Sequence, residues 1–180
     1  PFPKPADYDP ERYRLLARYL VKKPGLDWKF SYPDGPFQLQ NGDCNNAGGF
    51  STDNIGRNYE WPEADYETRE RIFQDHVGYQ QGLMYFMSHD PGIPEVLREK
   101  VKTFGLNKNE FPETGGWPHE LYVREGRRML SDYVMTENNC ASRRACEDSI
   151  GLASYNMDSH NCQRIVIDGK VRNEGDVQIG

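Results

Sequence analysis

The chain predicts an α+β fold. Its N-terminal half should be helical and packed with a small, mostly antiparallel sheet in the C-terminal half, with no complete Rossmann domain. Three observations lead there. Apolar residues recur at helical spacing in three stretches before residue 105. The run Ile165-Val166-Ile167, Asp168-Gly169, Lys170-Val171-Arg172 places a two-residue turn between short β-branched segments, which is the strongest short-range hairpin signal. No Gly-x-Gly-x-x-Gly follows a strand, and no Walker loop is present. At 180 residues the chain is a single domain or fragment able to bury a core. Residues 1–116 read mainly as helices and long loops. Residues 117–180 read as strands, short helices and a hairpin at 168–169.

Taken in order, residues 1–8 form an extended Pro-rich arm. Asp9 suits an N-cap and Pro10 the first helical position, and Tyr13, Leu16, Ala17 and Leu20 follow at helical spacing. Lys22 and Lys23 favour the negative end of the dipole, and Pro24-Gly25 stops a helix spanning 10–22. Residues 24–62 lack periodicity and read as a long loop anchored by Trp28, Phe30, Tyr32, Phe37 and Phe50. Asp43, Asn45 and Gly48 resemble part of a calcium loop, but Asn54 stands where the closing Glu belongs. The longest helical pattern covers about 65–88. Phe73, Val77, Met84 and Met87 form one row and Ile72, Tyr79, Leu83 and Phe86 a second, with His76 inside the stripe as a core or boundary histidine. Asp90-Pro91-Gly92 breaks it, and Pro94 opens a shorter helix with Leu97, Val101 and Phe104 on one face.

The stretch from Trp117 to His160 mixes charged and aromatic residues with apolar ones. Leu121, Val123, Met129, Tyr133 and Met135 are apolar enough for a core, while Arg124, Glu125, Arg127, Arg128 and Asp132 lie among them. Buried charges need partners or an opening. Their content of β-branched and aromatic residues predicts a strand across 121–135, although the arginine-rich part can also wind as helix. Thr136-Glu137 and Glu147 to Gly151 suggest short helical turns, and Ser154 to Asp158 a strand. A strand alternates its faces, so Asp158 and His160 share one side while Ser159 points away. A carboxylate beside an imidazole can hold it cationic near neutrality, fit to grip an anion or donate a proton. A structural histidine is the plainer alternative.

Composition narrows the partners. The net charge of -6 offers no basic field for a phosphate backbone, so no nucleic acid is expected. No apolar run is long enough to span a bilayer. The start at Pro1-Phe2-Pro3, without Met or a signal core, suggests a chain processed or cut from something larger. Cys44, Cys140, Cys146 and Cys162 show no Cys-x-x-Cys spacing, which argues against structural zinc. Cys140 and Cys146 are near enough in sequence to bridge, with free thiols the alternative. No metal is expected, and the compartment stays open between cytoplasm and a periplasmic or secreted location.

Longer motifs carry a resemblance. Gly116-Trp117-Pro118-His119-Glu120-Leu121-Tyr122-Val123-Arg124-Glu125, Arg127-Arg128-Met129, Asp132 to Glu137, Asp148-Ser149-Ile150-Gly151, Tyr155 to Asn161 and Val171 to Asp176 are similar to FAD-dependent oxidoreductases of the bacterial group sometimes labelled "xanthan lyase". So are Asn45 to Asp53 and Tyr59 to Tyr66. The similarity covers nearly the whole chain. It departs from the usual pattern at Gly126, where the group has Ala, which loosens the local backbone slightly.

The resemblance implies FAD on a Rossmann-type domain built from the two ends of a longer polypeptide, and hydride transfer between an organic substrate and the flavin. This chain then corresponds to the middle region, the substrate-binding cap. Its partners are the missing FAD-binding domain of the same polypeptide and a small-molecule substrate, and it is not expected to hold FAD alone. In that setting His160 and Asp158 are the candidate catalytic pair facing the ring. Arg124 and Arg128 are anion-holding or network residues, and Tyr122 is a wall or hydrogen-bond donor. Asn45, Asn46 and Asp53 belong to a lid or substrate contact. The competing class is a non-catalytic carbohydrate-binding or interaction module, in which Trp28, Trp61, Trp117 and the tyrosines stack on sugars.

Overall fold

The computed structural model describes residues 1–22, 52–123, 126–127, 129–152, 157–159, 161–175 and 178–179. The chain forms two compact units, Pro1–Arg124 and Glu125–Gly180.

In the first unit, Asp9 caps a 3-10 turn at Pro10–Tyr13 by accepting from the Glu11 amide at 2.9 Å, and helix α1 continues over Arg14–Lys22. Helix α2 covers Tyr66–His89. The Asp65 side chain caps it, accepting from Thr68 N at 2.8 Å. The Asp90-Pro91-Gly92 break then leads into α3, Glu95–Val101. These are the helices the spacing predicts, with two differences: the first turn of the N-terminal one is wound as 3-10, and α3 ends at Val101, short of Phe104.

The core lies where they meet. Tyr13, Leu16, Ala17 and Leu20 pack with Tyr79, Leu83, Met84, Phe86 and Met87 of α2, closed by Ile93, Leu97 and Val101. Phe104, expected on the face of α3, packs at its margin with Phe2, Tyr8 and Leu15. His76 is buried, with Nδ1 2.8 Å from the Ile72 carbonyl oxygen one turn back. It is thus a satisfied core histidine. The two predicted rows of α2 diverge along its length. Toward the C-terminus both are buried, while Phe73 and Val77 near the N-terminus are half-buried.

The second unit is sparser. Helix α4 is a single turn, Glu137–Cys140, where Thr136 and Asn139 cap each other. A turn at 147–148 stands where a short helix was expected. Strand β1, Met157–Asp158, pairs antiparallel with β4, Gln178–Ile179. Strands β2, Gln163–Ile167, and β3, Lys170–Glu174, form the predicted hairpin, antiparallel from Gln163↔Glu174 to Ile167↔Lys170. Asp168 (φ 50°) and Gly169 (φ 69°) both take the left-handed turn conformation.

Two expectations are overturned. No strand forms between 121 and 135 among the described residues. Nor does that stretch supply the core: Met129 is 84% and Leu130 99% exposed, and Met135 is exposed as well. Interleaved charges left no face there that could be buried without stranding a guanidinium or carboxylate. Every fully buried apolar side chain among the described residues lies between Tyr13 and Val101. Cys140 and Cys146 are free thiols and do not bridge. Among the described residues no helix is long and apolar enough to cross a membrane, and no group of His, Cys, Asp and Glu could hold a metal ion.

Candidate functional site

The first unit carries an open cleft of about 830 Å³. It is lined by the N-terminal half of α2, the 3-10 turn Trp61–Glu63 before it, and the loop running to Leu121.

Local sequence explains both walls. Pro62 sets the tight turn that presents Trp61. Arg69, on α2, donates from Nε to the Trp61 carbonyl and from Nη2 to the Pro62 carbonyl, each at 3.0 Å. Its guanidinium also stands over the Trp61 ring, 5.9 Å from the centroid. One arginine thus fixes the indole against the helix. Farther along the same face, Gln74 donates to Glu70 at 2.9 Å.

The opposite wall is a strained loop. Phe111 holds a left-handed φ of 48°, followed by a 3-10 turn at Pro112–Thr114 and by Gly115 (φ 70°) and Gly116 (φ 92°). Gly116 is required twice over. Its φ suits only glycine, and a Cβ there would press on Leu106 Cβ at 3.0 Å. The Gly116 amide closes the turn onto the Phe111 carbonyl at 2.8 Å, and the Thr114 hydroxyl bonds the Trp117 carbonyl. His119 Nε2 lies 2.9 Å from Glu113 Oε1, and its ring meets Phe111 edge-on at 5.3 Å. Left-handed backbone at a non-glycine residue persists only where neighbours over-determine it, and such strain gathers at ligand sites.

A smaller hollow of about 420 Å³ lies around Asp75 of α2. Its carboxylate accepts from Arg12 Nη2 at 3.2 Å, Arg57 Nε at 3.2 Å and Asn54 Nδ2 at 2.9 Å. Burial alone would raise its pKa. The bonds from Arg57 and Asn54 and the Arg12 charge outweigh that and hold it below the ordinary carboxylate value. With its one anion placed between two cations, this is a clamp tying the N-terminal segment and residues 54–57 to α2.

The sequence-predicted site residues fall elsewhere. Arg124, Arg128, His160, Asn45 and Asn46 lie outside the described residues. Asp158 sits on β1 opposite Gln178. Tyr122 is 79% exposed just past the cleft loop, and Asp53 is half-buried beside Asn54. Asp53 and Tyr122 are not among the residues lining the cleft. Sequence reasoning missed Arg69, Glu113 and His119 as lining or supporting groups. The signal available was Gly115-Gly116 directly before Trp117-Pro118-His119, a pattern that forces a tight turn beside an aromatic and an imidazole.

The family model described as FAD dependent oxidoreductase matches residues 1–180. The chain belongs to the FAD-dependent oxidoreductase family. None of the curated proteins and none of the solved structures compared with it matches.

FAD is the cofactor of this oxidoreductase family. Its pyrophosphate needs a Gly-rich turn leading from a strand into a helix whose first amides are free. The described residues do not fit it. Their strands are all antiparallel and follow the helices in sequence. Helix α2 has its first turn capped by the Asp65 carboxylate with Glu67 beside it, and α3 opens with Pro94 and Glu95. A pyrophosphate at either end would meet a carboxylate.

Proposed function

We propose that this chain forms the substrate-facing cap of an FAD-dependent oxidoreductase. The flavin would be held by another domain of the same polypeptide, and hydride would pass between an organic substrate and that flavin. The observation that carries the reading is a cleft walled in part by Trp61, Tyr66, Phe73 and Trp117, in a unit whose α2 and α3 N-termini carry carboxylates that would repel a pyrophosphate. The exposed apolar residues of the second unit, Leu130, Ile150 and Leu152 among them, support a surface that meets another domain.

In this reading the cap orients the substrate and excludes water. Besides the cleft lining, His160 with Asp158 is proposed as the polar group facing the ring, Arg124 and Arg128 as anion-holding or network residues, Tyr122 as a wall or hydrogen-bond donor, and Asn45, Asn46 and Asp53 as a lid or substrate contact. The test is flavin retention. Purified and mixed with FAD, the chain is expected to stay colourless after desalting, and a yellow protein with bound-flavin absorbance would refute the cap. In the complete polypeptide, His160→Ala should lower turnover with little change in melting temperature. An unchanged rate would remove His160 from the site.

A further inference from the structure

The cleft between α2 and the 111–121 loop has a lining that selects among ligand classes. Trp61, Phe73, Trp117 and the exposed Tyr66 are among its lining residues. Between them stand hydrogen-bonding groups of both kinds. Glu70 and Glu120 bring carboxylate oxygens, and Gln74 has an amide oxygen and a second N–H besides the one given to Glu70. His119 has Nδ1 besides the Nε2 paired with Glu113, and the Thr114 hydroxyl, which donates to backbone carbonyls, can accept.

Charge excludes anions. The cleft's fixed cation, Arg69, has Nε and Nη2 committed to two backbone carbonyls and its face laid on Trp61. Glu70 and Glu120 line the space, and Glu113 stands behind His119. A carboxylate or phosphate ligand would meet these before any open guanidinium. A purely apolar ligand would leave the carboxylates desolvated without partners. An organic cation finds carboxylates, but Arg69 already occupies the Trp61 face. The cleft is also open and far larger than the closed aromatic cage such a cation needs.

A neutral polyhydroxylated ring answers every feature. Its C–H face packs on an indole, and its rim of hydroxyls both donates to carboxylates and accepts from N–H groups. We propose that this cleft binds a neutral sugar, with Trp117 as the stacking platform and His119, set by Glu113 and Phe111, as a rim hydrogen-bonding group. The proposal names the substrate class of the cap described above and rests on the reading that substrate enters there.

The test is a binding titration of the 180-residue chain, followed by tryptophan fluorescence and calorimetry. The probes are neutral gluco-, manno- and galacto-oligosaccharides, with glucuronate and tetramethylammonium as the charged comparisons. Saturable binding of at least one neutral sugar, with an indole emission shift, is expected. Trp117→Ala should weaken it by at least about tenfold while circular dichroism stays unchanged. Should Trp117→Ala fail to fold, His119→Gln decides: weaker sugar binding at an unchanged melting temperature supports the site, and unchanged binding overturns it. No saturation with any neutral sugar, or tighter binding of glucuronate or tetramethylammonium, also overturns it. Flavin retention by the chain would refute the cap while leaving sugar binding intact, so the two failures are separable.

Discussion

The Tyr13 hydroxyl donates to the Tyr79 carbonyl at 3.0 Å and fills the space that a side chain on Gly82 would need. Tyr13 is 1% exposed, held between Tyr8, Tyr79 and Phe86 rings, and cannot retreat. Gly82→Ala should therefore destabilise the first unit by about 1–3 kcal/mol, the range for overpacking, even though alanine is the better helix former. Gly78, one turn earlier, is the control. A Cβ there meets only the Asp7 carboxylate at 3.3 Å, at the end of a side chain that can swing away. Gly78→Ala should be neutral or stabilising by up to about 1 kcal/mol. Urea unfolding of both variants checks the contrast, and equal effects would refute this account of the α1–α2 contact.

The same tyrosine sets an alkaline limit. Burial pushes Tyr13 up to about 12 from its ordinary 10.0, against the opposing Arg12 charge. Burial, with the Asp90 charge added, does the same for Tyr8. A raised folded-state value means that the unfolded chain loses its phenolic protons first. Stability from these groups is complete below pH 10 and declines as pH rises toward 12. Tyr13→Phe should start lower at neutral pH by about 1 kcal/mol, for the lost hydrogen bond, and then decline less steeply through that window. Parallel slopes for variant and wild type, followed by melting temperature, would contradict the assignment.

Much of the helical unit was legible because its signals are local and agree. Asp9-Pro10 and Pro94 mark helix starts, and the apolar rows of α2 repeat over enough turns to leave one reading. The Asp168-Gly169 turn was equally plain, since two successive positive-φ positions tolerate few residue pairs. The stretch 121–135 misled because β propensity measures a fit to a half-buried pleat. With charges at neighbouring positions there was no such pleat to fit. The cleft was hidden for a different reason. It joins Trp61 to Trp117 across more than fifty positions of chain, and Arg69 serves it by bonding backbone carbonyls that no side-chain pattern reports.

Asp75 supplies an acid-side prediction. Its folded-state value lies below the ordinary 3.8, despite burial, because Arg57, Asn54 and Arg12 favour the charged form. The stability it contributes is present above 3.8 and is lost as pH falls through the lowered folded value. Asp75→Asn should cost about 1 kcal/mol at neutral pH, since the ion pairs are partly exposed. It should also flatten the fall in melting temperature between about pH 5 and pH 2. High salt should narrow the neutral-pH gap, as screening weakens pairs that reach solvent. An acid profile unchanged by the substitution would show that the clamp contributes nothing.

The hairpin offers a case in which conformation can be separated from space. A Cβ on Gly169 would meet nothing within 4 Å, yet its φ of 69° is one that β-branched residues resist. Gly169→Val should therefore cost about 1–2 kcal/mol locally, through backbone strain alone. Asp168 sits at φ 50°, where Asn is equally at home, so Asp168→Asn should change little. Two strands without a third are marginal, and Val166, Ile167 and Val171 are exposed, so little packing offsets the loss. Amide exchange across the paired residues Ile165 and Arg172 reads it directly, with exchange about tenfold faster expected in Gly169→Val and unchanged in Asp168→Asn. If Gly169→Val exchanged no faster, the register would owe its stability to something other than this turn.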